Sequence, residues 1–205
     1  MLGIYNYTVI LTYIGFLASF AGIYFAVNDN PDAAIICLMI CGFCDMFDGK
    51  IAKTKKDRTD QEKQFGIQID SLCDLMCFGV LPVFIGYSVG MRGFYYFPIL
   101  LFFPLAALIR LAYFNVKEHA RVKQDDDDLI FCTGLPVTPT AIILPIIYLL
   151  RFVFEDIFTY VFAGVLLVIS ILFLSKFKLK KFTTKKLLML IAVGLVCIAI
   201  IWWFS

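Results

Sequence analysis

The chain has 205 residues, 61% of them hydrophobic and 17% charged, with a formal net charge of +2. That apolar share, with a mean hydropathy of +0.89, exceeds the roughly half of a soluble domain and excludes a water-soluble globular protein. The small net charge carries no signature of nucleic-acid binding, and a single integral-membrane domain over residues 1–205 is expected.

Seven apolar runs are close to the ~20 helical residues needed to cross a hydrocarbon core of about 30 Å. In chain order they are Tyr5–Val27, Ala33–Lys53, Asp70–Val89, Phe94–Val116, Pro136–Phe152, Ile157–Ser175 and Lys186–Phe204. The expected fold is all-α, a polytopic bundle of about seven membrane-spanning helices, within a range of roughly six to eight. Gly79 and Pro82 predict a bend or break in the third run. The first run starts without a charged leader or a small-residue cleavage site, so no removable signal peptide is expected.

Loop charge predicts orientation. Lys53, Lys55, Lys56, Arg58 and Lys63 follow the second run; Lys117, Arg121 and Lys123 follow the fourth; lysines crowd between Lys176 and Lys186 after the sixth. The alternate loops hold little more than Arg92 and Arg151. Positive residues stay on the cytoplasmic side, which puts the N-terminus there and the C-terminus outside. The run Asp125–Asp128 reads as a solvated loop, and His119 falls in a cytoplasmic loop with no catalytic role required of it. Most of the seven cysteines fall inside apolar runs, so the Cys41/Cys44 pair reads as packing, not redox chemistry.

Chemistry concentrates at the end of the second run and the start of the third. Asp45 and Asp48 are three apart, Asp70 and Asp74 four apart, so each pair shares one helix face. Carboxylates at membrane depth are expensive and mark function. Four together repel one another unless a cation sits among them. Hard divalent ions prefer such oxygen ligands: Mg²⁺, Mn²⁺ or Ca²⁺, with two ions forming a clamp suited to phosphoryl chemistry.

The pattern Asp45, Asp48, Gly49, Ala52, then Gly66, Asp70, Asp74 resembles the CDP-alcohol phosphotransferase signature D-x-x-D-G-x-x-A-R followed by G-x-x-x-D-x-x-x-D. Two departures stand out: Lys53 where the family carries arginine, and a longer gap before Gly66. The resemblance implies a homodimeric membrane enzyme with metal ligands Asp45, Asp48, Asp70 and Asp74. It makes Asp74 the general base that receives the acceptor's proton. Asp45, Gly49, Ala52, Lys53 and Gly66 are the expected contacts to the CDP-lipid, the small residues because they let a nucleotide approach the backbone. Lys53 either meets a phosphate or is a snorkelling lysine at a helix end.

Three further segments narrow the acceptor. Phe78–Pro82, Arg110–Asn115 and Phe131–Pro136, added to the motif, resemble the phosphatidylserine synthase branch of that family, of the integral-membrane bacterial and archaeal type. The donor implied is CDP-diacylglycerol or CDP-archaeol, the acceptor L-serine and the by-product CMP. Within the family, choline, inositol phosphate or glycerol phosphate is the alternative acceptor. Outside it, the same carboxylates could serve a cation or proton transporter, but polar residues deep in the other runs are scarce. Arg110, Asn115 and Thr133 are the serine-binding candidates, with Lys50, Gln68 and Ser71 near the metal site. An arginine inside an apolar run needs an anionic partner: serine carboxylate, lipid phosphate or a motif aspartate.

Overall fold

A computed structural model describes residues 7–52, 54, 55, 57, 59–124, 131–133, 135–154, 157–176 and 178–180, with the backbone alone for 117–124, 131–133 and 178–180. Lys53, Asp125–Asp128 and the expected seventh run Lys186–Phe204 lie outside the described residues.

A 3-10 turn, Tyr7–Val9, leads into α1, Ile10–Val27. Helix α2, Pro31–Ala52, begins with a proline, whose fixed φ suits a first helical position. Asn30 caps it by accepting the Ala33 N–H at 3.1 Å. Helix α3, Asp60–Asp74, opens with a capping box: Thr59 Oγ1 accepts the Glu62 N–H at 3.2 Å, and Glu62 Oε2 accepts the Thr59 N–H at 3.0 Å. This cap starts the helix well before the expected Asp70. Hydropathy marks where a helix turns apolar, not where it begins.

Helix α3 continues without a break into a π-helical turn, Leu75–Val80, and then α4, Leu81–Ser88. The Leu81 N–H reaches back five residues to the Met76 carbonyl. Pro82 has no N–H, and in an α-helix its ring would strike the carbonyl four residues back. The wider turn absorbs both problems, and it is where the sequence predicted a bend.

After a 3-10 turn, Phe94–Tyr96, helix α5 runs over Phe97–Gln124. It continues past the expected end at Val116, so the backbone at His119 is helical and not the loop expected there. Helix α6 is Thr140–Leu149 and α7 is Phe158–Leu174. One short antiparallel pair departs from the all-α expectation: β1, Phe131–Thr133, lies against β2, Lys178–Lys180. It joins the segment before α6 to the segment after α7.

Three helical stretches are long and apolar enough to cross a membrane: Tyr7–Val27, Asp60–Ser88 and Phe94–Val116. Helix α2 has the length but carries Asp32, Asp45, Asp48 and Lys50, and the apolar helices Thr140–Phe152 and Phe158–Leu174 are shorter. The chain is thus an integral membrane helical protein, with three crossings qualifying by length and composition among the described residues against the seven or so expected. Leu17, Phe20, Leu101, Leu105, Val168 and Ile171 are exposed, a surface suited to lipid rather than water.

The interior is built from Ile35, Leu38, Phe78, Leu81, Phe103, Leu144, Phe162 and Leu166. Gly15, Ser19 and Gly22 are buried on one face of α1, the small-residue spacing that lets membrane helices approach closely. A Cβ at Gly22 would lie 2.9 Å from Cys37 Cβ, and one at Gly42 2.6 Å from Ala141 Cβ. Gly22→Val should therefore destabilise the bundle by about 1–3 kcal/mol, read as a lower Tm in detergent. An unchanged Tm would mean that α1 and α2 can separate freely. At the start of α2, Asp32 accepts from Tyr148 Oη at 2.9 Å and pairs with Arg151 at 2.8 Å. This ties α2 to the end of α6, leaving the other end of α2 to the aspartates.

Candidate metal and active site

Helix α2 delivers Asp45 and Asp48 from its last turns, and α3 delivers Asp70 and Asp74. One carboxylate oxygen from each of Asp45, Asp70 and Asp74 lies within 4.8 Å of the others. Asp48, buried at 8% exposure, reaches Asp70 from beside this trio. Thr12 Oγ1 of α1 donates to Asp48 Oδ2 at 3.3 Å, and the Thr138 side chain, ahead of α6, lies within reach of Asp45. All four aspartates line a narrow cleft, with room for little more than a water-sized group, that is also lined by Cys41, Cys44, Cys73, Cys77 and Phe78. These cysteines are free thiols, and Cys41 Sγ donates to the Gly15 carbonyl at 3.3 Å, which is packing, as the sequence suggested.

Among the described residues, no lysine or arginine lines this cleft. The donors that cluster are carboxylate oxygens, and in so apolar a setting like charges repel strongly. Oxygens that lie within 4.8 Å of one another are close enough to share a cation with ~2.0–2.6 Å bonds, so the residues fit a divalent ion. A Cβ at Gly49 would meet nothing within 4 Å. Packing does not require that glycine, and the space beside it is open for a ligand. Ala52 and Gly66 are half-buried, Gly66 one turn before Asp70. Lys50 is exposed and sits over the Phe47 ring at 5.1 Å.

Of the serine-binding candidates, Asn115 and Arg110 face different sides of α5. Asn115 Oδ1 accepts from Ser71 Oγ at 2.8 Å, so it faces the helix that carries Asp70 and Asp74. Arg110, five residues earlier, points about 140° away around α5. It is 7% exposed, and its Nε donates to the Leu135 carbonyl at 3.0 Å. With Tyr113, Ser175 and Lys176 it lines a second cleft of about 160 Å³ whose other lining residues are Ile109, Phe173 and Leu174. Thr133 contributes its backbone to β1.

Sequence reasoning missed Thr12, Thr138 and the contribution of Ser175 and Lys176. The signal for Thr12 was present, a hydroxyl inside an apolar run. Nothing in the spacing told which aspartate it would meet.

The sequence pattern that defines the CDP-alcohol phosphatidyltransferases matches residues 5–204. The chain belongs to that family. Its relatives include the CDP-diacylglycerol–serine O-phosphatidyltransferase of Saccharomyces cerevisiae, 32% identical over 152 residues, covering 68% of this chain and 53% of the relative. The Bacillus subtilis protein of the same name is 29% identical, over 55% of this chain and 63% of the relative. An archaetidylserine synthase from Methanothermobacter thermautotrophicus is 29% identical, over 71% of this chain and 59% of the relative. The chain thus spans between 53% and 63% of the length of these three relatives. All three names specify serine products, which agrees with the branch of the family that the sequence resembles.

Proposed function

We propose that this CDP-alcohol phosphatidyltransferase is a phosphatidylserine synthase, moving the phosphatidyl group of CDP-diacylglycerol, or the archaeal ether equivalent, to L-serine with release of CMP. The observation that carries the reading is the convergence of Asp45, Asp70 and Asp74 beside the open face of Gly49, in a chain whose relatives are named for serine transfer.

The donor enters with its tails along the apolar outer faces and its nucleotide against the end of α2. Gly49, Ala52 and Gly66 leave room for it, and Lys53 is assigned to its phosphates. Asp45, Asp48, Asp70 and Asp74 would hold one or two divalent cations, Mg²⁺ or Mn²⁺, which when bound neutralise the pyrophosphate and the departing CMP. Asp74 takes the proton of the serine hydroxyl. The serine oxygen forms a bond to the lipid-bearing phosphorus, and the pyrophosphate bond to CMP breaks. Arg110 is assigned to the serine carboxylate, and Asn115 borders the acceptor on the side of the motif helix. The site faces the cytoplasm in a bundle of about seven crossings, and the enzyme works as a homodimer.

The test is CMP release by purified protein with a panel of alcohols. Serine should support it, chelation should stop it, and Mg²⁺ or Mn²⁺ should restore it. Release with choline, inositol phosphate or glycerol phosphate but not serine would keep the family and overturn the acceptor. Gly49→Val should fold normally, because its Cβ meets nothing, yet raise the KM for the CDP-lipid several-fold. An unchanged KM would move the nucleotide away from that face.

A further inference from the structure

We propose that Thr12 and Thr138 are positioning residues that hold Asp48 and Asp45 in the orientation a divalent cation requires. The inference rests on the metal reading of the aspartate cleft and extends it to two elements outside the motif helices.

Two buried serines in this bundle satisfy their hydroxyls simply. Ser19 donates to the Phe16 carbonyl at 2.7 Å, and Ser170 to the Leu166 carbonyl at 2.8 Å. Each closes onto its own helix, the usual outlet for such groups. Thr12 does otherwise. It is 7% exposed, sits in a helix with no acidic or basic residue, and donates across the helix interface to Asp48 Oδ2 at 3.3 Å. A β-branched side chain has few rotamers, so the donor stays where α1 puts it. One oxygen of Asp48 is tethered on the α1 side, while the carboxylate still reaches Asp70.

Thr138 does the same for the other member of the pair. It lies between Leu135, whose carbonyl holds Arg110, and the start of α6, with its side chain within reach of the Asp45 carboxylate. Asp45 and Asp48 share a helix face, but that face alone does not fix their rotamers. The two threonines approach from α1 and from the segment before α6. Together they orient the first aspartate pair toward Asp70 and Asp74. Carboxylates that hold a metal are themselves held by such outer hydrogen bonds, and losing one typically lowers metal affinity by about 10–100-fold.

The experiment is Mn²⁺ binding to the purified full-length protein, followed by electron paramagnetic resonance without nucleotide or lipid substrate. Thr12→Val keeps the shape and removes the hydroxyl; it should weaken Mn²⁺ by about 10-fold or more. Thr138→Val should weaken it likewise, and Thr12→Ser should bind as wild type does. The rise in Tm between chelator and Mn²⁺, taken within each variant, should shrink in step, which separates metal binding from general stability. If Thr12→Val does not fold, Thr138→Val and Thr12→Ser carry the test. Wild-type affinity in the valine variants overturns the proposal. So does a serine variant as weak as the valine one, since the methyl and not the hydroxyl would then matter. If the wild type itself binds no Mn²⁺, the metal reading fails and the positioning role with it.

Discussion

Asp74→Asn should lower CMP release by about 10²–10⁴-fold, the usual worth of a positioned general base, while leaving part of the CDP-lipid binding in place. Asparagine keeps the shape and one carbonyl oxygen that a cation can use. It cannot accept the proton of the acceptor hydroxyl. Asp74 stands with Asp45 and Asp70, one oxygen of each within 4.8 Å of the others, so the substitution changes the chemistry at the centre without emptying the cleft. Asp70→Asn and Asp48→Asn remove charge from groups assigned only to the cation, and both binding and turnover should fall. The check is metal-dependent CDP binding measured beside single-turnover CMP release in all three variants. If binding falls equally in all of them, Asp74 is a plain ligand and the proton goes elsewhere.

The aspartates were legible in the sequence because helix geometry is local. Spacings of three and four put Asp45 with Asp48, and Asp70 with Asp74, on shared faces before any tertiary contact is known. That the two faces meet depends on the α2–α3 connection, which spacing does not encode. Helix ends were read poorly for a physical reason. The Thr59–Glu62 capping box starts α3 in a polar segment, and α5 continues through charged residues to Gln124; neither boundary coincides with a change in hydropathy. The bend at Gly79 and Pro82 was legible as a disturbance, since proline lacks a donor. Its resolution as a π turn depends on the Leu81 N–H finding Met76. Thr12 could not be assigned, because one hydroxyl in an apolar helix meets whatever the facing helix offers.

Arg110→Ala should raise the serine KM by roughly 30-fold or more, with a smaller effect on the CDP-lipid. The guanidinium is buried and fixed through Nε to the Leu135 carbonyl, so its plane is set before a ligand arrives. It lines a cleft with Tyr113, Ser175 and Lys176, where no acidic residue is found among the described residues. A carboxylate entering there gains charge-assisted hydrogen bonds of defined geometry. Truncating one member of such a desolvated pair costs about 2–5 kcal/mol, and each 1.4 kcal/mol is about tenfold in affinity. Arg110→Lys should recover only part of the loss, since lysine keeps the charge but not the fork. Asn115→Ala separates the two faces of α5. It frees Ser71 from its 2.8 Å bond but leaves Arg110 in place, so its serine KM should rise less than that of Arg110→Ala. The reverse order would put the serine carboxylate on the Asn115 side. A selective loss of CDP-lipid binding in Arg110→Ala would assign the second cleft to the lipid phosphate.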